Sequence, residues 1–519
     1  MCPIVGAGPA VHFALSPHIS HEGIMTQQAR RIVIIGGGIA GLCAAVYARK
    51  AGYEVILLER HESPGGLATR WQRGDYVFET CLHWLLGSDP EGALHDEWRE
   101  ACDIDSLKFL YHEEFVRVES QDGKALHVFS DVDWLEAELL TIAPEDAEEI
   151  GNFTRAIRHL IDLPIPDPSA GWPERGLAML RMLPEMPLLW RLSHVSAEDY
   201  GKRFTNPLVR RFFGEGGSAR MSVLALIFSL AWMSARNAGY PIGGSRAVVD
   251  LVADRFASLG GTLRCGALVD RILVEDDAAV GVRLAGGETI TADWVISAAD
   301  GHATVYDLLG GAYTDESVDQ VFETFETFPS YLQVSLGVAR DLSAEPGYLT
   351  IVLDAPLVLD PATSLEQLSF RLFHYDPTCA PAGKTAVTCF LPTQNFAYWA
   401  GLRENDDEQY RAEKERVARA VIAILDRRVP GVASAIEVTD VSTPATVMRL
   451  TGNWKGSMEG WLMTPETGFG GLPMTLPGLH RLVRAGQWVQ PGGGLPGGLM
   501  TGRAAVQAIC REDRVPFPA

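Results

Sequence analysis

The hexapeptide Gly36-Gly37-Gly38-Ile39-Ala40-Gly41 constrains this chain more than any other stretch, because of what stands on either side of it. Before it, Arg31-Ile32-Val33-Ile34-Ile35 is a continuous apolar run of the kind that forms a buried parallel strand. After it, Leu42-Cys43-Ala44-Ala45-Val46-Tyr47-Ala48 is a helix of small residues. Strand, glycine turn and helix in that order are the start of a dinucleotide-binding unit. Gly36 permits the turn, Gly38 lets the backbone approach a pyrophosphate, and Gly41 lets helix and strand pack closely. Phosphates then sit on the helix N-terminus, at Ile39 and Ala40. Gly52 ends the helix, and Tyr53-Glu54-Val55-Ile56-Leu57-Leu58-Glu59 reads as the second strand. It closes in an acid about 20 residues beyond the turn, so Glu59 is expected to hold ribose hydroxyls.

A second glycine cluster, Val5-Gly6-Ala7-Gly8-Pro9-Ala10, lacks a preceding strand and has Val11 where the third glycine belongs, so it is set aside. Residues 1–29 have neither a basic start nor an apolar core of secretory length and are expected to form a disordered leader. With 519 residues the chain is expected to hold two or more domains. Its 44 basic and 66 acidic residues give a net charge of -22, which opposes binding to nucleic acid and general attraction to anionic lipid. Cys2, Cys43, Cys81, Cys102, Cys265, Cys379, Cys389 and Cys510 are scattered without CxxC spacing and read as reduced core residues of a cytoplasmic protein. No histidine and cysteine cluster suggests a metal. The longest apolar run, Met221 to Met233, is shorter than the roughly 20 residues a bilayer span needs and is expected to be a buried helix.

Beyond Glu59 the chain continues Arg60-His61-Glu62-Ser63-Pro64-Gly65-Gly66-Leu67, and a nicotinamide-type unit does not require this second glycine pair. The fingerprint, the Glu-Arg pair and the following Gly65, Gly66 and Leu67 together resemble the two-part FAD motif of the amine oxidase and phytoene desaturase superfamily. Gly239-Tyr240-Pro241-Ile242-Gly243-Gly244, opening a helix, resembles the desaturase-type Tyr-Pro-x-Gly-Gly element. The strand after it contains Val269, which the resemblance places against adenine. Val280 to Leu284, a turn at Gly286-Gly287 and Thr291 to Asp300 read as a hairpin and a return strand from their alternation alone. Near the C-terminus, Gly486-Gln487-Trp488-Val489-Gln490-Pro491-Gly492-Gly493-Gly494-Leu495-Pro496-Gly497-Gly498-Leu499 resembles the terminal flavin motif of phytoene desaturases, carotenoid isomerases and retinol saturases. The resemblance implies contacts to FAD from Gly486, Gly497 and Leu499, and a helix from about Leu499 to Cys510 aimed at the cofactor. Relatives commonly carry an acid where this chain has Gln487, whose carboxamide can still bond a ribityl hydroxyl.

The fold class expected is α/β: a Rossmann-type FAD-binding domain from residues 30–112, 239–302 and 480–519, with an inserted α+β substrate domain from 113–238 and 303–479. Within the insertions, Glu408 to Arg428 is an amphipathic helix with Val417, Val421, Ile424 and Leu425 on one face, stopped by Pro430. Leu177 to Leu192, rich in Met and Leu and broken at Pro184 and Pro187, fits either a core helix pair or an apolar entrance that dips into a membrane or accepts a lipid. His83 and Trp84 follow the expected strand Tyr76-Val77-Phe78 and, if the superfamily arrangement holds, emerge near the flavin. His83 is the candidate for moving a proton, Trp84 for stacking on a conjugated chain, and both compete with ordinary packing. Trp232 is a further pocket candidate; Glu215, Arg220 and Lys455 are weaker ones.

The resemblance implies an FAD-dependent oxidoreductase acting on carbon-carbon bonds of an apolar, polyunsaturated or isoprenoid-like small molecule. Desaturation, saturation and redox-neutral cis/trans isomerisation all fit. An amine or amino-acid oxidase and a prenyl-lipid escort protein are the alternatives on the same scaffold. Oligomeric state is not encoded in any motif.

Overall fold

The computed structural model describes residues 30–80, 82–161, 163, 177, 180, 182–214 and 219–518. The expected leader and Glu215 lie outside them. Arg31–Ile35 is the central strand of a five-stranded parallel sheet in the order Thr262–Arg264, Glu54–Leu58, Arg31–Ile35, Trp294–Ser297, Leu482–Arg484. Its unbroken apolar run follows from burial on both faces. Ile32 and Ile34 pack on one side of the sheet, Val33 and Ile35 on the other.

On the first side, the helix Ile39–Lys50 is buried continuously from Ala40 to Ala48 because a second helix, Gly494–Asp513, lies against it. Small residues make that approach possible. A Cβ added to Gly498 would stand 2.4 Å from Ile39 Cγ2, and one added to Gly502 would stand 2.5 Å from the Ala40 carbonyl oxygen. The C-terminal helix begins at Gly494 rather than near Leu499. Pro496 falls in its first turn, where a missing N–H removes no intrahelical bond, so the proline does not delay the start. The other side of the sheet carries the antiparallel ribbon Val269–Glu275, Ala278–Leu284 and Thr289–Thr291.

A separate, mostly antiparallel sheet of seven strands among the described residues runs in the order Ile436–Ser442, Ser330–Val338, Thr385–Thr393, Thr363–Leu372, Tyr348–Asp360, Glu114–Glu119, Ala125–Phe129. The one parallel pairing, Tyr348–Asp360 with Glu114–Glu119, joins strands from the two stretches that interrupt the parallel sheet. The helices Val132–Ile142, Ala147–Ile161 and Val223–Ser234 share one core with Glu114–Glu119 and Ala125–Phe129. The last of them is the apolar run, with Val223, Leu224, Ile227, Leu230 and Ala231 buried. The amphipathic helix, Asp407–Arg428, packs Val417, Val421 and Leu425 against the remaining strands, with Ile424 partly buried. The described cysteines are free thiols, and Cys265 departs from the expected core placement by lying exposed at the end of a sheet-edge strand.

The two sheets are joined by a buried polar junction. Glu79, fully buried, accepts from the Ser245 backbone N–H at 3.0 Å and the Ser245 hydroxyl at 2.7 Å. The guanidinium of Arg70 lies 3.7 Å from Glu79 and 3.8 Å from Asp376, and Asp376 accepts from the Tyr240 hydroxyl at 2.9 Å. The Tyr-Pro-x-Gly-Gly element therefore starts the helix Gly244–Ser258 and also bridges to the second sheet.

Candidate functional site

The three glycine turns do different physical jobs. Gly36 has φ +98°, and a Cβ there would stand 2.8 Å from the Ala298 carbonyl oxygen; one on Gly41 would stand 1.9 Å from the Gly36 carbonyl oxygen. Both are glycine because backbone touches backbone. Gly38 is different: its φ of -69° is open to any residue, and a Cβ there would meet nothing within 4 Å. It precedes a helix with no side-chain cap and no acid in its first turn, so the first-turn amides remain available to an external anion. The Gly65 N–H donates to the Gly37 carbonyl at 2.9 Å, and a Cβ on Gly66 would lie 3.4 Å from Gly38 Cα, so the second glycine pair lies across the first turn with Leu67 following, half-buried.

Glu59 is buried at the end of its strand. Its two oxygens accept from the Gly37 N–H at 2.7 Å and the His61 N–H at 2.8 Å, and each keeps a further lone pair. Ala267 and Gly266 donate to the carbonyls of Glu59 and His61, which brings Val269 alongside. Arg60 turns outward instead. Its guanidinium reaches Gly452, at the C-terminal end of the helix Pro444–Thr451, where a cation is favourable.

From the C-terminal segment, the Gly486 N–H donates to Thr501 Oγ1 at 2.9 Å, and a Cβ on Gly486 would lie 3.4 Å from that of Ala40. Gly497 repeats the Gly38 pattern, with nothing within 4 Å of a Cβ, at the start of a helix that again has no cap and no first-turn acid. Gln487 donates its amide to Asn453 Oδ1 at 2.9 Å, an acceptor shared with the Trp488 indole at 3.2 Å. Leu499 is a correction: its side chain is fully buried in the helix-helix core, so it cannot face a ligand. Leucine in a glycine-rich motif is there for packing.

His83 and Trp84 line a cavity together with His112, Tyr348, Arg371 and Tyr375. The His83 ring packs 5.1 Å from Tyr348 and 5.5 Å from Trp84, centroid to centroid. Trp232 is not brought there; it stacks on Phe228 at 5.3 Å, and its neighbour Met233 lines the cavity in its place. Helical geometry turns adjacent residues about 100° apart, which a run of apolar letters does not reveal. His112, Tyr348 and Tyr375 carry no local motif. Arg371, inside the apolar strand Thr363–Leu372, is the one such residue whose oddity was visible in the sequence. Arg220 pairs with Glu326 at the surface, and the Lys455 ammonium lies 4.0 Å from the Trp454 ring centroid.

Burial, with the nearby Arg371 and His112, holds the His83 imidazole well below its usual range, and burial likewise pushes His112 down to about 4. Both rings are neutral in the fold at pH 7. Below about pH 6.5 the unfolded chain takes up protons that the folded chain refuses, so stability rises with pH through the window from about 4 to 6.5. Urea midpoints measured across that window are expected to fall on acidification, with a shallower fall in His112→Gln; a slope unchanged by that substitution would contradict the assignment.

Residues 34–101 match the family model of the NAD(P)-binding Rossmann-like domain. Over 89% of its length the chain is 24% identical to prolycopene isomerase 1, chloroplastic, of an Oncidium hybrid cultivar, covering 81% of that protein. Over 95% of its length it is 25% identical to the neurosporene-forming phytoene desaturase of Rhodobacter capsulatus, covering 96%. Among solved structures, a redesigned putrescine oxidase superimposes with TM-score 0.61 at 17% identity, covering 93% of this chain and 99% of that one. An oxidoreductase from Methanosarcina mazei gives 0.58 at 18% identity, covering 92% and 100%. The chain is thus similar over most of its length to prolycopene isomerases and phytoene desaturases, and its Rossmann-like fold is one that a solved putrescine oxidase shares.

Proposed function

We propose that the protein is an FAD-dependent oxidoreductase acting on carbon-carbon bonds of an apolar polyene or isoprenoid-like substrate, by desaturation, saturation or flavin-mediated cis/trans isomerisation. The observation that carries the reading is the convergence of two uncapped helix starts, each with a glycine whose Cβ position is open: Gly38 before Ile39–Lys50 and Gly497, the fourth residue of Gly494–Asp513. A dinucleotide with a long second half matches two such starts better than one. The residues fit the group: Gly38, Ile39, Ala40 and Gly41 would hold the pyrophosphate, Glu59 the ribose, Val269 the adenine, and Gly65, Gly66, Gly486 and Gly497 the ribityl and ring portions. Bound there, FAD would supply two-electron chemistry at carbon. The chain's own contribution is to position the substrate and exclude water.

The polyene assignment is supported by the relatives' names and by the aromatic wall of Trp84, Phe115 and Tyr348. The same lining carries both the Arg371 guanidinium and the Glu114 carboxylate, the latter paired with Arg117, so its apolar aromatic face rather than its charge supports the polyene. Among the described residues no helix is long and apolar enough to cross a membrane. Leu177, Leu180, Leu183, Met186 and Trp190 are nonetheless exposed, Trp190 to 65%, which supports peripheral contact with a lipid surface where such a substrate would dissolve. Trp190→Ser with Leu183→Ser is expected to reduce sedimentation with neutral phosphatidylcholine vesicles several-fold; unchanged sedimentation would remove the contact.

The main test is the absorption spectrum of the purified protein, then anaerobic reduction and mixing with polyenes and with amines. A flavin spectrum whose reduced form responds to polyenes is the expected result. A response to amines alone would overturn the substrate assignment, and no flavin under cofactor-replete conditions would overturn the whole reading.

A further inference from the structure

The segment Ser457 to Trp461 runs against the C-terminal glycine turn. A Cβ on Gly460 would stand 2.2 Å from the Gln487 carbonyl oxygen, and the Gly492 N–H donates to the Trp461 carbonyl at 3.0 Å. Glu459 lies in this segment with its carboxyl beside Gly493, where a Cβ would meet Oε2 at 2.9 Å. Gly493 is the last residue before the uncapped helix Gly494–Asp513, assigned above to the flavin.

Among the described residues no hydrogen bond or ion pair reaches the Glu459 carboxyl; the only bond to the residue is from the Ser457 hydroxyl to its backbone carbonyl. The side chain is largely enclosed by protein and keeps part of its surface exposed. An acid beside a helix start ordinarily caps it, and this one accepts from none of the amides there. A carboxyl serving structure would be paired, because an unpaired buried charge is costly.

We propose that Glu459 is the proton-exchanging group of the site, giving a proton to a substrate carbon and taking one back. The proposal rests on the flavin reading above. In saturation, one alkene carbon receives a hydrogen with its electron pair from the reduced cofactor and the other receives the Glu459 proton. The π bond breaks, two C–H bonds form, the cofactor is oxidised and Glu459 is left as a carboxylate that solvent reprotonates. Desaturation is the reverse. In isomerisation the Glu459 proton adds to the polyene, the cation rotates about what has become a single bond, and a proton returns to the carboxylate with no net redox change. Burial pushes the Glu459 carboxyl up to about 8, and no charged side chain contributes to that shift. At neutral pH the group is therefore an acid, which suits the proton-giving directions, saturation and isomerisation.

Infrared spectroscopy of the holoenzyme in H2O and D2O reads the carboxyl without turnover. Expected is a protonated-acid C=O band at pH 7 that shifts in D2O, titrates away near pH 8 and is missing from Glu459→Gln. In parallel, dithionite-reduced protein is incubated in D2O with phytoene and with prolycopene in phosphatidylcholine vesicles, and the recovered polyene is weighed by mass spectrometry. Wild type is expected to incorporate deuterium and Glu459→Gln about 100-fold more slowly at unchanged flavin occupancy. An absent band, or wild-type incorporation by the variant, overturns the proposal. Should wild type incorporate none, that result also overturns it for these polyenes. A colourless protein that still shows the band would instead sink the flavin reading, and the proton-exchange role with it, while leaving the acid form of Glu459 established.

Discussion

Gly38→Val is expected to yield a folded protein that purifies without flavin. The conformation at Gly38 is extended, φ -69° and ψ 177°, so a β-branched residue fits the backbone, and the new Cβ, the root of the added atoms, would meet no protein neighbour within 4 Å. What they would fill is the approach to the first-turn amides of Ile39–Lys50. Far-ultraviolet circular dichroism and thermal unfolding of the cofactor-free protein should match wild type stripped of flavin, while the visible absorbance of the purified variant should drop by at least about tenfold. Gly41→Ala provides the contrast. Its Cβ would stand 1.9 Å from the Gly36 carbonyl oxygen, far inside contact, so this smaller substitution is expected to disrupt the fold itself. Full flavin occupancy in Gly38→Val would sink the assignment of this turn to the cofactor.

The second large effect is on stability. Glu79→Ala removes a fully buried carboxylate that satisfies the first-turn N–H of Ser245, bonds its hydroxyl and faces the Arg70 guanidinium at 3.7 Å. Arg70 is itself largely buried and would keep, among the described residues, Asp376 at 3.8 Å as its acid neighbour. Removing one member of such a buried pair costs about 3–5 kcal/mol. Denaturant unfolding should show that loss, with Glu79→Gln falling between the two because a carboxamide oxygen can still accept from Ser245 but carries no charge for Arg70. A change below about 1 kcal/mol would mean that the junction between the sheets is not held by these charges.

Much of the nucleotide half could be read from the sequence because its signals are local. Arg31–Ile35, the glycine turn and Ile39–Lys50 are consecutive, so the pattern shows within one stretch even though contacts that force it, Ala298 against Gly36 and Gly494–Asp513 against Ile39–Lys50, come from far along the chain. The apolar helix Val223–Ser234 and the amphipathic helix Asp407–Arg428 were legible for the same reason: period and length decide them. The cavity around His83 was only half legible. Its remaining walls come from strands and loops far apart in sequence, and no spacing rule links His112 to Arg371 or Tyr375. Leu499 turns into the helix-helix core and Trp232 away from the cavity around His83 for a related reason, since a motif or an apolar run fixes where a helix goes but not which way each side chain turns. Glu459 carried no signal at all: an isolated acid between Met458 and Gly460 becomes notable only when its lack of partners is seen.

The outermost strand of the parallel sheet, Leu482–Arg484, and the helix Gly494–Asp513 that covers the fingerprint helix both come from the last stretch of a chain whose first strand begins at Arg31. A ribosome therefore has to release the chain from Arg31 through Arg484 and beyond before the sheet gains its outermost strand and the fingerprint helix its cover. Until then Ile39 and Ala40 lack the helix that shields them, and the long-range pairings that make such topologies slow to fold are still outstanding. On the proposed flavin reading, cofactor capture is then a late event, and nascent chains stalled short of about residue 480 are expected to be open, chaperone-dependent and unable to retain a flavin.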